Sequence, residues 1–133
     1  MQEKTIRKLG GSRYISIDIR VIAATNKNLK EEIKLGNFRE DLFYRLAGVE
    51  FKIPPLRERK ADILVVCMHI IQQGNLLFGK NITTIDDDAK QALENYSWFG
   101  NVRELQNEIQ RAMILTKTDA IALENLSAKL KEM

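Results

Sequence analysis

Cysteine is nearly absent from this sequence: Cys67 stands alone, so no internal disulfide can form. With His69 as the single histidine, one thiol and one imidazole cannot build a zinc site by themselves. Proline occurs only twice, as the adjacent pair Pro54-Pro55, and glycine 7 times, which excludes collagen-like and low-complexity chains. Long apolar runs are missing too. The longest nearly unbroken one, Ile63 to Ile71, contains His69 and is well short of the roughly 20 residues a bilayer needs. No basic-then-apolar signal segment opens the sequence, so the expectation is a cytoplasmic protein without a membrane partner. A net charge of +3 is too small to imply nucleic acid. What remains is ordinary: 133 residues, 44% hydrophobic and 29% charged, enough for one packed domain or two very small ones.

The charge is unevenly spread. Residues 1–60 hold 14 Lys and Arg against 8 Asp and Glu, a net +6, and residues 61–133 hold 7 against 10, a net −3. The first region carries strand and turn signals. Thr5–Leu9 and Tyr14–Ile17 flank Gly10-Gly11-Ser12-Arg13, a hairpin arrangement, and the basic residues Arg7, Lys8 and Arg13 would sit at its tip. Ile19–Ala24 has the continuous apolar character of a strand buried on both faces, ending at the polar pair Thr25-Asn26. Leu29–Leu35 and Arg39–Leu46 suggest short helices closed by Gly36 and Gly48. Val49–Ile53 is the next expected strand, after which the two prolines stop regular hydrogen bonding.

Beyond them the pattern is helical. Asp62 can cap a long apolar helix ending near Gly74 or Gly79. Asp86-Asp87-Asp88 puts negative charge at the start of another, with Ala89, Ala92, Leu93 and Tyr96 on one face. Asn101 and Glu104 have capping-box spacing at the head of a third, lined by Val102, Leu105, Ile109, Ala112 and Met113. Glu124–Leu130 suggests a short terminal helix.

Gly74 to Asn81 fits G-x-x-x-x-G-K but is a decoy for a phosphate loop. Asn81 has no hydroxyl for a magnesium ion, the segment follows a helical pattern rather than a strand, and Leu76, Leu77 and Phe78 would crowd the cradle. A helix ended by glycine and followed by a turn accounts for it.

Four segments carry a more specific message: Val21-Ile22-Ala23-Ala24-Thr25-Asn26, Phe38-Arg39-Glu40-Asp41-Leu42-Phe43-Tyr44-Arg45-Leu46, Pro54-Pro55-Leu56-Arg57-Glu58-Arg59, and Trp98-Phe99-Gly100-Asn101-Val102-Arg103-Glu104-Leu105. In this order they resemble the second half of the AAA+ ATPase module of sigma-54-dependent transcriptional activators, the bacterial enhancer-binding proteins, from about Gln2 to about Leu126. The fold this implies is α/β then all-α: residues 1–60 as the C-terminal part of an AAA+ α/β subdomain, 61–126 as the helical lid, and 127–133 as a tail.

The resemblance also implies roles. Asn26 falls at the sensor I position, where an amide can orient water or report a γ-phosphate; the competing account is a loop asparagine capping the helix beyond it. Arg39 and Arg45 fall where the family carries arginine fingers acting in trans, a task suited to a permanently charged, bidentate donor. Six residues on a helix turn about 240°, so the two can share one phosphate only if the helix begins between them, unless they serve different roles. The alternative is a surface ion pair with Glu40, Asp41 or Glu50. Arg103 matches sensor II and lies in the first turn of its helix, where the dipole also favours an anion. Phe99 stands where the family usually has proline, which bears on how that loop aims Arg103. Arg57 and Arg59 match the hinge and are expected to be structural, Trp98 to pack beneath the lid, and Cys67 and His69 to face different sides of their helix.

In that family the Walker A loop, the Walker B acidic pair and the sigma-contacting loop lie upstream of the hairpin. The intact module would bind ATP and Mg²⁺ in a hexamer or heptamer ring, remodel sigma-54 RNA polymerase, reach DNA through a further domain and often answer a two-component signal. This chain alone is expected to hydrolyse no ATP and to hold no nucleotide or metal tightly. Two other classes compete. The helix ending near Tyr96 and the helix with Asn101, Arg103, Asn107, Gln110 and Arg111 can imitate a helix-turn-helix, although that half lacks the basic face DNA requires. A nonenzymatic oligomerisation or interaction domain is the third.

Overall fold

The computed structural model describes residues 5–7 and 9–132; Lys8, expected at the hairpin tip, lies outside them. The chain forms two compact units, Met1–Lys52 and Ile53–Met133. Divided there, the charges come to 11 basic against 7 acidic residues and 10 against 11, so the second unit is near neutral once Arg57, Arg59 and Lys60 are counted with it.

In the first unit, β1 (Thr5–Arg7) and β2 (Tyr14–Ser16) form the expected hairpin. They pair antiparallel with Ile6 opposite Ile15 and Arg7 opposite Tyr14, and the Arg7 guanidinium lies 6.0 Å from the centre of the Tyr14 ring. Two short helices follow, α1 (Leu29–Lys34) and α2 (Glu40–Leu46). The expected strands do not form. Residues 19–24 and 49–53 have no ladder partner, and Ile19, Val21 and Ile22 are 52%, 48% and 82% exposed. A strand of this composition is stable only between neighbours that satisfy its backbone and cover both faces, and the described residues supply none. No described residue of this unit is buried.

The second unit holds the whole core. A 3₁₀ turn (Leu56–Glu58) follows the prolines, then α3 (Ala61–Phe78), β3 (Thr84–Ile85), α4 (Asp87–Asn95), α5 (Asn101–Leu115), β4 (Ala120–Ile121), a second 3₁₀ turn (Leu123–Asn125) and α6 (Ala128–Lys131). β3 and β4 pair in parallel. Helix α3 begins one residue before Asp62, which lies in its first turn and pairs with Arg59 at 3.6 Å instead of capping; a residue already in helical conformation is past the capping position. The helix runs through Gly74 and ends at Gly79, whose left-handed backbone (φ 61) closes it, so the phosphate-loop look-alike is a helix end and a turn. Lys80 then donates to the Thr116 carbonyl at 2.8 Å.

Helices α3 and α5 form the main contact. Gly74 permits their close approach: a Cβ there would lie 2.6 Å from Met113 Sδ. Ile63, Cys67, Ile70 and Ile71 of α3 share one buried cluster with Leu105, Ile109, Ala112 and Met113 of α5 and Ala89 and Leu93 of α4, joined by Leu56, Trp98 and residues of the β3, β4 and C-terminal segments. Burial drives the Cys67 thiol up to about 12, leaving an inert packing group. His69 is exposed, on another side, as their spacing requires. In the stretch read as tail, Leu130 of α6 is buried. By length and composition α3 is apolar enough to cross a membrane, because Ala61 and Leu76–Phe78 extend the run seen in sequence, but one face of it is core.

Candidate functional site

The head of α5 is held by an unusual turn. Trp98 (φ 46) and Asn101 (φ 52) both have left-handed backbones, a conformation asparagine tolerates and a bulky tryptophan rarely adopts. Trp98 is fully buried, its Nε1–H donates to the Leu93 carbonyl at 2.8 Å, and its ring meets Tyr96 edge to face at 5.0 Å. The Asn101 N–H donates to the Trp98 carbonyl at 2.7 Å.

The expected capping box is only half present. Glu104 accepts the Gly100 N–H at 2.9 Å, but Asn101 Oδ1 accepts the N–H of Leu56, 45 residues away, at 2.9 Å. A capping residue has extended backbone, and the left-handed Asn101 does not. The bond it makes instead ties the segment after Pro54-Pro55 to the first turn of α5.

Glu104 is the hub of a second set of contacts. Its Oε1 accepts from the Tyr96 hydroxyl at 3.2 Å and from Lys129 Nζ at 2.6 Å, and that ammonium lies 5.1 Å from the Tyr96 ring centre. Partial burial works to raise the Glu104 pKa, but Lys129, the Gly100 N–H and Tyr96 together bring it below the usual carboxylate value. Burial likewise opposes the charge of Lys129, and Glu104 outweighs it, raising the lysine.

Arg103, between these two fixed residues, is exposed and has no hydrogen-bond or ion-pair partner among the described residues. It borders an open cavity of about 510 Å³ together with Phe99, Asn107 and Lys129. Glu104 and Glu108 line the same groove, and Lys129 is already paired with Glu104, so the unpaired positive charge there is the Arg103 guanidinium, placed at a helix N-terminus where the dipole also favours an anion.

In the first unit Arg39 is the residue before α2, with extended backbone (φ −76, ψ 130), whereas Arg45 lies in its last turn. The helix therefore does begin between them, the condition under which the two can serve one anion. The Arg39 side chain forms a two-point pair with Asp41 at 2.9 and 2.8 Å. This pair raises the guanidinium pKa and holds the Asp41 carboxyl below its usual value. With 81% of the side chain exposed, the pair is a surface one. Asn26 is exposed on the segment after Ala24; its side chain caps nothing, since α1 begins after Asn28. Arg57 lies 3.8 Å from Glu58, and Arg59 Nε is buried without a hydrogen bond among the described residues.

Comparison with known proteins identifies the family. The Sigma-54 interaction domain matches residues 1–52 and the AAA+ ATPase lid domain residues 57–133. The chain belongs to the sigma-54-dependent activators, as the C-terminal portion of their AAA+ module. It is 43% identical over 131 residues to nitrogen fixation protein AnfA of Azotobacter vinelandii, covering 98% of this chain and 25% of that protein. It is 40% identical over 132 residues to regulatory protein AtoC of Escherichia coli, covering 99% and 29%. Two crystal structures of NtrX from Brucella abortus, the second in complex with ATP, superpose with TM-scores of 0.83 and 0.80 at 34% identity; the matches cover 98% and 97% of this chain and 31% and 30% of those chains. It thus spans about a quarter to a third of these relatives.

The two family matches divide this activator fragment where its compact units divide. Two parts of the α5 site have no signal in the sequence. Lys129 is 26 residues from Arg103 with no motif between them, and the bond from Leu56 to Asn101 joins residues whose letters announce only a hinge and a helix start.

Proposed function

We propose that this chain supplies the lid and the trailing part of the α/β subdomain to an AAA+ module that hydrolyses ATP with Mg²⁺. The observation that carries the reading is Arg103, unpartnered at the head of α5 beside the open groove, in a chain whose lid matches the AAA+ ATPase lid domain. Arg103 serves as sensor II, meeting nucleotide in cis through charge-assisted hydrogen bonds. Asn26 serves as sensor I. Arg39 and Arg45 act in trans across a ring of identical subunits, and Arg39 must exchange Asp41 for a phosphate, at low cost because an exposed pair is weak. Arg57 and Arg59 tie the hinge. The intact activator works in the cytoplasm on sigma-54 RNA polymerase, contacts it and the DNA through other segments, and takes its signal as two-component regulators do.

Among the described residues none forms the glycine-rich cradle with its lysine and magnesium ligand that phosphoryl transfer draws on, and the chain by itself is expected to turn over no ATP. The test is a pair of assays. Purified chain incubated with MgATP should release no phosphate above a heat-denatured control. In a full-length activator carrying this chain, Arg39→Ala and Arg45→Ala should each reduce turnover by roughly 10³-fold or more while nucleotide binding stays within a few-fold. Normal turnover in both variants would refute the finger assignment.

A further inference from the structure

Resting on the reading of Arg103 as sensor II, we propose that Asn101 and Glu104 are its positioning residues. They form a two-point clamp that fixes the first turn of α5 to the rest of the lid so that the arginine is aimed before nucleotide arrives.

Three observations carry this. First, the turn is conformationally demanding: Trp98 and Asn101 both sit at positive φ, which a bulky tryptophan rarely adopts, and such a turn persists only when its surroundings over-determine it. Second, the fixings converge on the residues flanking Arg103. Asn101 reaches the Leu56 N–H on one side, while Glu104 gathers the Gly100 N–H, the Tyr96 hydroxyl and the Lys129 ammonium on the other. Third, the residue between them is left unpartnered and exposed. A network built only to stabilise the lid would have no reason to immobilise the turn around a free cation. Holding a charged group in place before it meets its ligand removes the ordering cost at binding, and a displacement of about 1 Å at such a group can cost roughly a hundredfold.

The clamp also has a direction. Leu56 is fully buried and follows Pro54-Pro55 directly. One hydrogen bond therefore links the peptide that leaves the prolines to the turn that carries Arg103, and a shift at the hinge reaches the arginine through it.

The test uses a full-length activator carrying this chain, with ADP and Mg²⁺ as the probe. Asn101→Gly keeps the left-handed backbone without steric strain but removes the acceptor of the Leu56 N–H. Asn101→Gly should weaken MgADP binding by roughly tenfold to a hundredfold. In an Arg103→Ala background, Asn101→Gly should have no further effect, because its loss passes through the arginine. An equal loss in both backgrounds, or none in the parent, overturns the clamp while leaving Arg103 as sensor II. No loss in Arg103→Ala alone overturns the sensor II reading and the clamp with it. Should Asn101→Gly lose cooperative melting, Glu104→Ala, which releases Gly100 from the other side, runs the same cycle with the same expected outcomes.

Discussion

Trp98 combines volume, a hydrogen bond and backbone strain in one side chain. It is the largest fully buried residue, it meets the Leu93 carbonyl, and it holds a backbone conformation that only strong packing sustains. Truncating Trp98→Ala removes the ring and leaves that carbonyl unpaired, so a loss of about 3–5 kcal/mol is expected. Trp98→Phe keeps most of the volume and loses the donor, for about 1–3 kcal/mol. Urea unfolding of the three proteins, followed by circular dichroism at 222 nm, measures both differences; equal stability of Trp98→Phe and the parent would show that the hydrogen bond contributes nothing. The sequence already placed Trp98 beneath the lid, because a tryptophan in a short turn between two amphipathic helices has a core to fill. Its positive φ was not legible, since nothing in the letters Trp-Phe-Gly-Asn requires a left-handed tryptophan. The same division holds at Arg103: its place at a helix head follows from spacing, whereas its lack of a partner among the described residues depends on what the rest of the lid places around it.

At the level of elements, helices α4 and α5 were readable because each carries its own period of apolar residues, and α3 from its long apolar run, signals that survive whatever surrounds them. The strands at 19–24 and 49–53 were misread for the opposite reason: a buried strand is defined by its neighbours, and sequence alone shows only that it would suit them. Helix α6 depends on a long-range tie as well, and its link to α5 makes a pH prediction. The Glu104 pKa is depressed in the folded chain, so the stability it contributes is present above the ordinary carboxylate range and is lost as pH falls through the folded value. The Lys129 pKa is raised, so its contribution is full below the ordinary lysine value and is lost as pH rises through the folded one. Lys129→Met removes the main attraction holding Glu104 low. Thermal melts between pH 3 and 7 should then show a variant less stable at neutral pH but losing less on acidification than the parent. A parallel fall in both proteins would mean that the pair contributes nothing to folding.

Across the whole molecule, the two units differ in what can hold them folded. Residues 53–133 bury Leu56, Ile63, Ile71, Leu93, Trp98, Leu105, Ile109, Ile121, Leu126 and Leu130 in one cluster. The first unit, among its described residues, buries nothing and relies on a hairpin of two three-residue strands and two helices of 6 and 7 residues. Helices that short are unstable in water without packing, and an isolated two-stranded hairpin is marginal. Hydrogen exchange should therefore separate the chain sharply. Amides in α1, α2 and the β1–β2 hairpin should exchange at rates close to those of an unstructured peptide, whereas those in the middle of α3 and α5 should open only with global unfolding. A protein made of residues 53–133 alone should keep one cooperative thermal transition and the same slow-exchanging amides in α3 and α5. Protection in residues 19–24 or 49–53 comparable to that of α5 would mean that these segments have found sheet partners, and that the first unit folds on its own terms rather than waiting for the remainder of an AAA+ module to supply its neighbours.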